Sequence, residues 1–120
     1  MTTRVLIVDD EPFVRHLIRD TLKTRGFATG SAANGVEALE ELAKEPYDLV
    51  ISDVVMPEME GFELLKRVKK DYPGLKVIIL TGYSSQHDIS DFLLYGADEY
   101  LTKPFQVNEL LAAVEKVIGD

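Results

Sequence analysis

The 120-residue chain contains no cysteine. Disulfides and thiolate metal sites are therefore excluded, and sulfur gives no reading of the redox compartment. Positive charge is scarce as well: 13 Lys and Arg stand against 21 Asp and Glu, for a net charge of −8. Phosphate backbones are bound by clustered Lys and Arg, and with no basic stripe here direct binding of nucleic acid is not expected. Nothing approaches the roughly 20 apolar residues of a membrane helix. The N-terminal apolar run Val5-Leu6-Ile7-Val8 spans four residues and enters two aspartates, which marks a strand and not a signal peptide. No membrane contact is expected, and the cytoplasm is the expected location. Internal repeats, linkers and low-complexity stretches are also missing.

What is present suits a globular domain, with 46% apolar and 28% charged residues. The length suffices for one core and not for two, so residues 1–120 are expected to fold as a single domain. Five short apolar runs predict strands at Val5–Val8, Ala28–Ala33, Asp48–Ser52, Val77–Leu80 and Glu99–Thr102. The second is poor in β-branched residues, as at a sheet edge, and the fourth reads as fully buried. Pro12 and Gly26 bound the first expected helix as a first-turn residue and a C-terminal cap. Further helices are predicted over Gly35–Glu45, with Val36, Leu39 and Leu42 on one face, and over Gly61–Tyr72, with Phe62, Leu65 and Val68. Two more are predicted over Ser85–Tyr95, stopped by Gly96, and over Val107–Ile118, with Leu110, Leu111, Val114 and Ile118 inward. This alternation implies right-handed βαβ units and a parallel sheet covered on both faces. The expected fold is α/β, a (βα)5 doubly wound flavodoxin-like sandwich, and the strand order 2-1-3-4-5 is borrowed from that fold.

In such a sheet the loops after strands one, three, four and five meet at one edge. They deliver Asp9 and Asp10, then Asp53, Thr81 and Lys103. Crowded carboxylates repel one another and raise at least one pKa unless a cation sits among them, and a single lysine is insufficient compensation. Hard oxygen donors without His or Cys favour Mg²⁺, or Mn²⁺ in its place. With metal present a carboxylate can attack an incoming phosphoryl group, while Lys103 and Thr81 donate to its oxygens and Gly82 leaves room for entry. Taken singly these residues have plainer readings. Asp9-Asp10 can serve as helix-start charge, Thr81 as a helix cap and Tyr100 as a half-buried strand aromatic. Their convergence is what favours phosphoryl chemistry on Asp53. His16 and His87 have no metal-like partners and are expected on solvated helix faces, as is the charge run Lys66-Arg67 with Lys69-Lys70.

The paired acids Asp9-Asp10, the segment Asp53-Val54-Val55-Met56-Pro57 followed by Gly61, the Leu80-Thr81-Gly82 segment and Tyr100-Leu101-Thr102-Lys103-Pro104-Phe105 together resemble the receiver domain of two-component response regulators. The resemblance covers essentially the whole chain. It implies that Asp53 is the phosphoacceptor. Asp10 would bind Mg²⁺ directly, with Asp53 and the backbone carbonyl of Val55, while Asp9 would act mostly through metal-bound water. Lys103 would pair with Asp53 or its phosphate, the Lys103-Pro104 bond would be cis, Thr81 would move toward the phosphate and Tyr100 would turn inward behind it. Aliphatic Val55 and aromatic Tyr83 imply slow loss of the acyl phosphate. The domain would promote its own phosphorylation and slow dephosphorylation without acting as an enzyme on free substrates. Its donor would be a histidine kinase or phosphotransfer protein, and an effector domain or protein, unidentified by the residues, would read the result.

In the first helix Val14, Ile18 and Leu22 suffice for a core stripe, leaving Phe13 and Leu17 as a second apolar pair near the reactive end. With Phe105 they are expected to contact the donor kinase; the alternative is that Leu17 packs against the last helix. Leu94, Tyr95 and Tyr100 mark the face of the fourth helix, fifth strand and fifth helix as the expected partner surface. The last helix lacks the arginine often found in receivers that dimerise there, so a monomer and a phosphorylation-dependent dimer both stay open. The chain ends at Asp120 just after that helix, as either a stand-alone regulator or a receiver from a longer protein. Three competing functions are weaker. Phosphohydrolases with a nucleophilic aspartate generally place a second aspartate two positions on, where this chain has Val55. A phosphate-independent scaffold predicts the loss of site residues, and none is lost. A flavin module needs a Gly-, Ser- or Thr-rich loop after the first strand, and that loop is acidic.

Overall fold

The computed structural model describes residues 2–54, 59, 61–82 and 89–119. The strands are β1 (Arg4–Val8), β2 (Ala28–Ala32), β3 (Leu49–Asp53), β4 (Lys76–Thr81) and β5 (Glu99–Thr102), alternating with helices α1 (Pro12–Lys23), α2 (Gly35–Lys44), α3 (Gly61–Asp71), α4 (Ile89–Leu94) and α5 (Val107–Ile118). All strand pairs are parallel and the order is β2-β1-β3-β4-β5, the flavodoxin-like arrangement expected. Helices cover both faces, so the central strands are buried nearly throughout while β2 and β5 at the edges are partly exposed.

Alternation along each strand divides the interior in two. Leu6, Val8, Val50, Val77 and Ile79 face Ala38, Leu42, Leu64, Leu65, Val68 and Phe92. Val5, Ile7, Leu49, Ile51, Ile78 and Leu80 face Ile18, Leu22, Leu110, Leu111 and Val114. Two packed layers thus hold the sheet rigid, and its C-terminal edge is left to polar chemistry.

Several boundaries and faces differ from expectation. The regular turns of α1 end at Lys23, while Gly26 makes the left-handed turn expected of it at φ 83° and the Phe27 N–H donates back to the Leu22 carbonyl at 3.2 Å. β3 starts one residue later than expected and includes Asp53, while the Asp48 carboxylate accepts from the Arg4 N–H at 2.9 Å. On α2 the buried face is Gly35, Ala38 and Leu42; Val36 is exposed, since small residues let the helix lie close. The start expected for α4 at Ser85 lies outside the described residues. The Lys66–Lys70 run is only partly a solvated face. The Lys66 ammonium lies 5.6 and 5.7 Å from the ring centres of Phe62 and Tyr95, and Lys69 donates to the Leu75 carbonyl at 2.9 Å and pairs with Asp98 at 3.0 Å.

Candidate functional site

Five of the residues singled out in the sequence come from four strand ends or the loops just beyond them. Asp9 and Asp10 follow β1, Asp53 ends β3, Thr81 ends β4 and Lys103 follows β5. The parallel pairings place Asp53 beside Leu80 and Thr81 beside Thr102, which brings these ends together. The Lys103 N–H donates to the Thr81 carbonyl at 2.7 Å and fixes the last loop against β4. The Lys103-Pro104 bond is cis, as expected.

Lys103 is the centre of the charge arrangement. Its ammonium lies 2.8 Å from Asp9 Oδ2, 3.2 Å from Asp53 Oδ2 and 3.5 Å from Glu11 Oε1. Burial pulls its pKa down, but the hydrogen bond to Asp9 and the charges of Asp53 and Asp9 outweigh that, and the net value stands above the usual one for lysine. Asp9 is fully buried and Asp53 nearly so. The second Asp9 oxygen accepts from the Glu11 N–H at 2.9 Å, and Asp53 Oδ1 accepts from the Val54 N–H at 2.8 Å. Asp9 therefore shapes the turn before α1 and is not its cap, which is Glu11. Asp10 is exposed, and among the described residues its carboxylate has no partner.

One carboxylate oxygen from each of Asp9, Asp10 and Asp53 lies within 4.8 Å of the others. This oxygen-only set, open on the Asp10 side, fits a hard divalent cation that keeps several waters. Both oxygens of Asp9 and both of Asp53 are already engaged, so Asp10, whose carboxylate has no partner among the described residues, is the most available direct ligand. Val55, whose carbonyl the resemblance adds to this set, lies outside the described residues, as do Tyr83 and His87.

Gly61 supports the acceptor from behind. Its N–H donates to the Val54 carbonyl at 3.0 Å. A side chain there would place its Cβ 2.6 Å from the Val54 Cα and against the Asp53 carbonyl. Backbone atoms cannot yield as a flexible side chain does, so Gly61→Ala is expected to destabilise the fold by about 2 kcal/mol, read as a lower urea midpoint with an unchanged slope.

The remaining predicted residues divide between two surfaces. Phe13, Leu17 and Phe105 line one groove of about 530 Å³ with Val14, Lys103 and Pro104. Phe13 is 76% exposed. Phe105 also packs on the core beneath, and Leu17 is half-buried in the groove wall and is not among the residues packed against the core over the α1 and α5 face. Tyr100 points outward on β5, with exposed Leu94 and Tyr95 nearby in the chain. On this second surface Glu99 pairs with Lys116 at 2.9 Å, and that contact holds the Glu99 carboxyl below its usual range. His16 lies exposed on α1, as expected.

Two residues of the site escaped the sequence reading. Glu11 adds a third acid at Lys103, and Arg15 donates from Nη1 to the Asp9 carbonyl at 2.6 Å. The signal for Glu11 was its place directly after the acid pair. Arg15 gave none, because its partner is a backbone oxygen.

The sequence profile of the family described as "Response regulator receiver domain" matches residues 5–115. The chain is 38% identical to sporulation initiation phosphotransferase F of Bacillus subtilis (strain 168) over 118 residues, which cover 98% of this chain and 95% of that protein. It is 36% identical over 120 residues to chemotaxis protein CheY of the same organism, covering 99% of this chain and 100% of that one. Among solved structures, chemotaxis protein CheY4 of Vibrio cholerae superposes with a TM-score of 0.90 at 35% identity, covering 98% of this chain and 99% of that chain.

Proposed function

The chain belongs to the response regulator receiver domain family, and from that premise we propose that Asp53 accepts a phosphoryl group from the phosphohistidine of a histidine kinase or phosphotransfer protein. Members of this family are signalling switches. The observation that carries the proposal is the Lys103 ammonium shared by Asp9 and Asp53, which come from different strands, with Asp10 beside them. No other arrangement of the described side chains aims a nucleophile, a cation and a metal-sized oxygen set at one point.

In the reaction an Asp53 carboxylate oxygen forms the new P–O bond as the P–N bond to the donor imidazole breaks, and the imidazole nitrogen takes up a proton. Asp10 and Asp53 would hold Mg²⁺ directly and Asp9 through water, and the bound ion would supply neutralising positive charge for the transfer. Lys103 neutralises Asp53 before transfer and donates to the phosphoryl group after it. Thr81 offers a hydroxyl at the neighbouring strand end. Its approach to the phosphate opens space for Tyr100 to leave the surface, and the α4, β5 and α5 face changes shape for an effector. Loss of the phosphoryl group is slow, and the domain turns over no free substrate.

The test is intact mass after incubation of the whole chain with Mg²⁺ and acetyl phosphate. Gain of one phosphoryl group, absent when the metal is chelated, is expected. No gain under conditions that label another receiver would leave the phosphate-independent scaffold as the better reading.

The groove beside Lys103 is the proposed seat of the donor protein. Its apolar lining and the 76% exposure of Phe13 support that reading. The double variant Phe13→Ala with Leu17→Ala is expected to slow transfer from a phosphorylated kinase by about tenfold or more, since truncating central apolar anchors commonly costs more than 1 kcal/mol each. Labelling by acetyl phosphate, which needs no docking, stays the same. Equal kinase rates for the double variant and the parent chain would rule this surface out.

A further inference from the structure

Asp9 has every polar group engaged. Its N–H donates to the Ala32 carbonyl at 3.2 Å, its two carboxylate oxygens accept from Glu11 and Lys103, and its own carbonyl accepts from the Arg15 guanidinium at 2.6 Å. Asp10 is held by nothing of its own, because among the described residues its exposed carboxylate has no partner. The direction in which Asp10 leaves the chain is therefore set by the peptide plane joining it to Asp9. The oxygen of that plane is the atom that Arg15 grips.

Arg15 is half-buried within the first turn of α1, a rigid element seated on the core through Ile18 and Leu22. A hydrogen bond from a charged donor at this length is strong and directional. It resists rotation of the Asp9–Asp10 peptide, and any such rotation would swing the Asp10 Cβ relative to Asp53. We propose that Arg15 is a positioning residue which, through the Asp9 carbonyl, aims Asp10 and thereby sets the affinity of the acidic site for a divalent cation. This rests on the reading of Asp9, Asp10 and Asp53 as a Mg²⁺ site.

Positioning and plain charge predict opposite signs. A guanidinium near three carboxylates competes with a bound cation, so a role limited to charge means that removing it tightens Mg²⁺ binding. A positioning role means that removing it weakens binding. Residues that orient metal ligands typically contribute about 10–100-fold in affinity.

The experiment is a Mg²⁺ titration of the whole chain followed by amide chemical shifts, for the parent chain, Arg15→Ala, Arg15→Lys and the reference Asp10→Ala. Affinity about tenfold weaker in Arg15→Ala is expected, with Arg15→Lys in between and metal-free melting close to that of the parent. Should Arg15→Ala fail to fold, Arg15→Lys and Arg15→Gln carry the same comparison, and binding is expected to weaken in the order Arg, Lys, Gln. Unchanged or tighter binding in these variants, with Asp10→Ala impaired, would overturn the proposal and leave the metal site standing. No Mg²⁺-dependent shift in the parent chain would instead overturn the metal reading, and the role of Arg15 with it.

Discussion

Asp53→Asn is expected to take up no phosphoryl group from acetyl phosphate under conditions that label the parent chain, a loss of at least about a thousandfold in rate, because removal of a covalent nucleophile commonly costs more than that. The substitution keeps the shape of the side chain. An Asn oxygen can still accept from the Val54 N–H, the contact that Asp53 Oδ1 makes at 2.8 Å. What disappears is the anionic oxygen facing Lys103 at 3.2 Å. The fold should persist, and intact mass with a urea midpoint on the same sample separates lost chemistry from lost structure. Labelling that survives in Asp53→Asn would place the acceptor elsewhere, with Asp10 the first candidate because its carboxylate is exposed.

The site also has a packed connection to the proposed partner face. Gly61, whose N–H bonds the Val54 carbonyl next to Asp53, is followed by Phe62. The Phe62 ring meets Phe92 of α4 edge-on at 5.4 Å and Tyr95, just past α4, at 5.1 Å between centres. Lys66 covers the rings of Phe62 and Tyr95. A displacement of the acceptor backbone thus has contiguous side chains through which to reach α4.

How much of this was legible depends on what each residue touches. The central strands were readable because burial on both faces demands an unbroken apolar run, as in Val77–Leu80. Asp9, Asp53 and Lys103 were readable because strand ends in a parallel sheet converge whatever the loops contain. The stop of α1 was readable in Gly26, which takes the left-handed turn expected of a cap at φ 83°, although the last regular helical residue is Lys23 and the Thr24 hydroxyl donates to the Thr21 carbonyl at 2.6 Å. Hydrophobicity ranks Val36 above Ala38, whereas close approach of α2 selects the smaller residue. Lys66 and Lys69 read as solvated charges because a pattern of charges does not reveal where long aliphatic stems lie. Arg15 was invisible for a related reason, since any long donor within the first turn of α1 has the same appearance in sequence.

Lys103→Ala is expected to lower the stability of the metal-free protein at pH 7 by about 3 kcal/mol. That is the lower end of the range for breaking a buried ion pair, appropriate because the lysine is partly exposed while Asp9 is not. Among the described residues, the variant leaves no cation between Asp9 and Asp53. Mg²⁺ should therefore narrow the gap, and urea midpoints with and without the metal measure this directly. The pH dependence has a definite sign. Because the folded-state pKa of Lys103 is raised, its contribution is fully present below the unfolded lysine value of about 10.4 and is lost as pH climbs through the higher folded value. The parent chain should thus lose part of its advantage over Lys103→Ala only in alkaline solution, and the two stability curves should run parallel between neutrality and about pH 9. Labelling by acetyl phosphate should also fall, by about a hundredfold, as for loss of one preorganised donor at a developing charge. A metal-free variant as stable as the parent at pH 7 would show that the Asp9 and Asp53 carboxylates are held by the surrounding backbone donors alone, and that Lys103 acts only once a phosphoryl group has arrived.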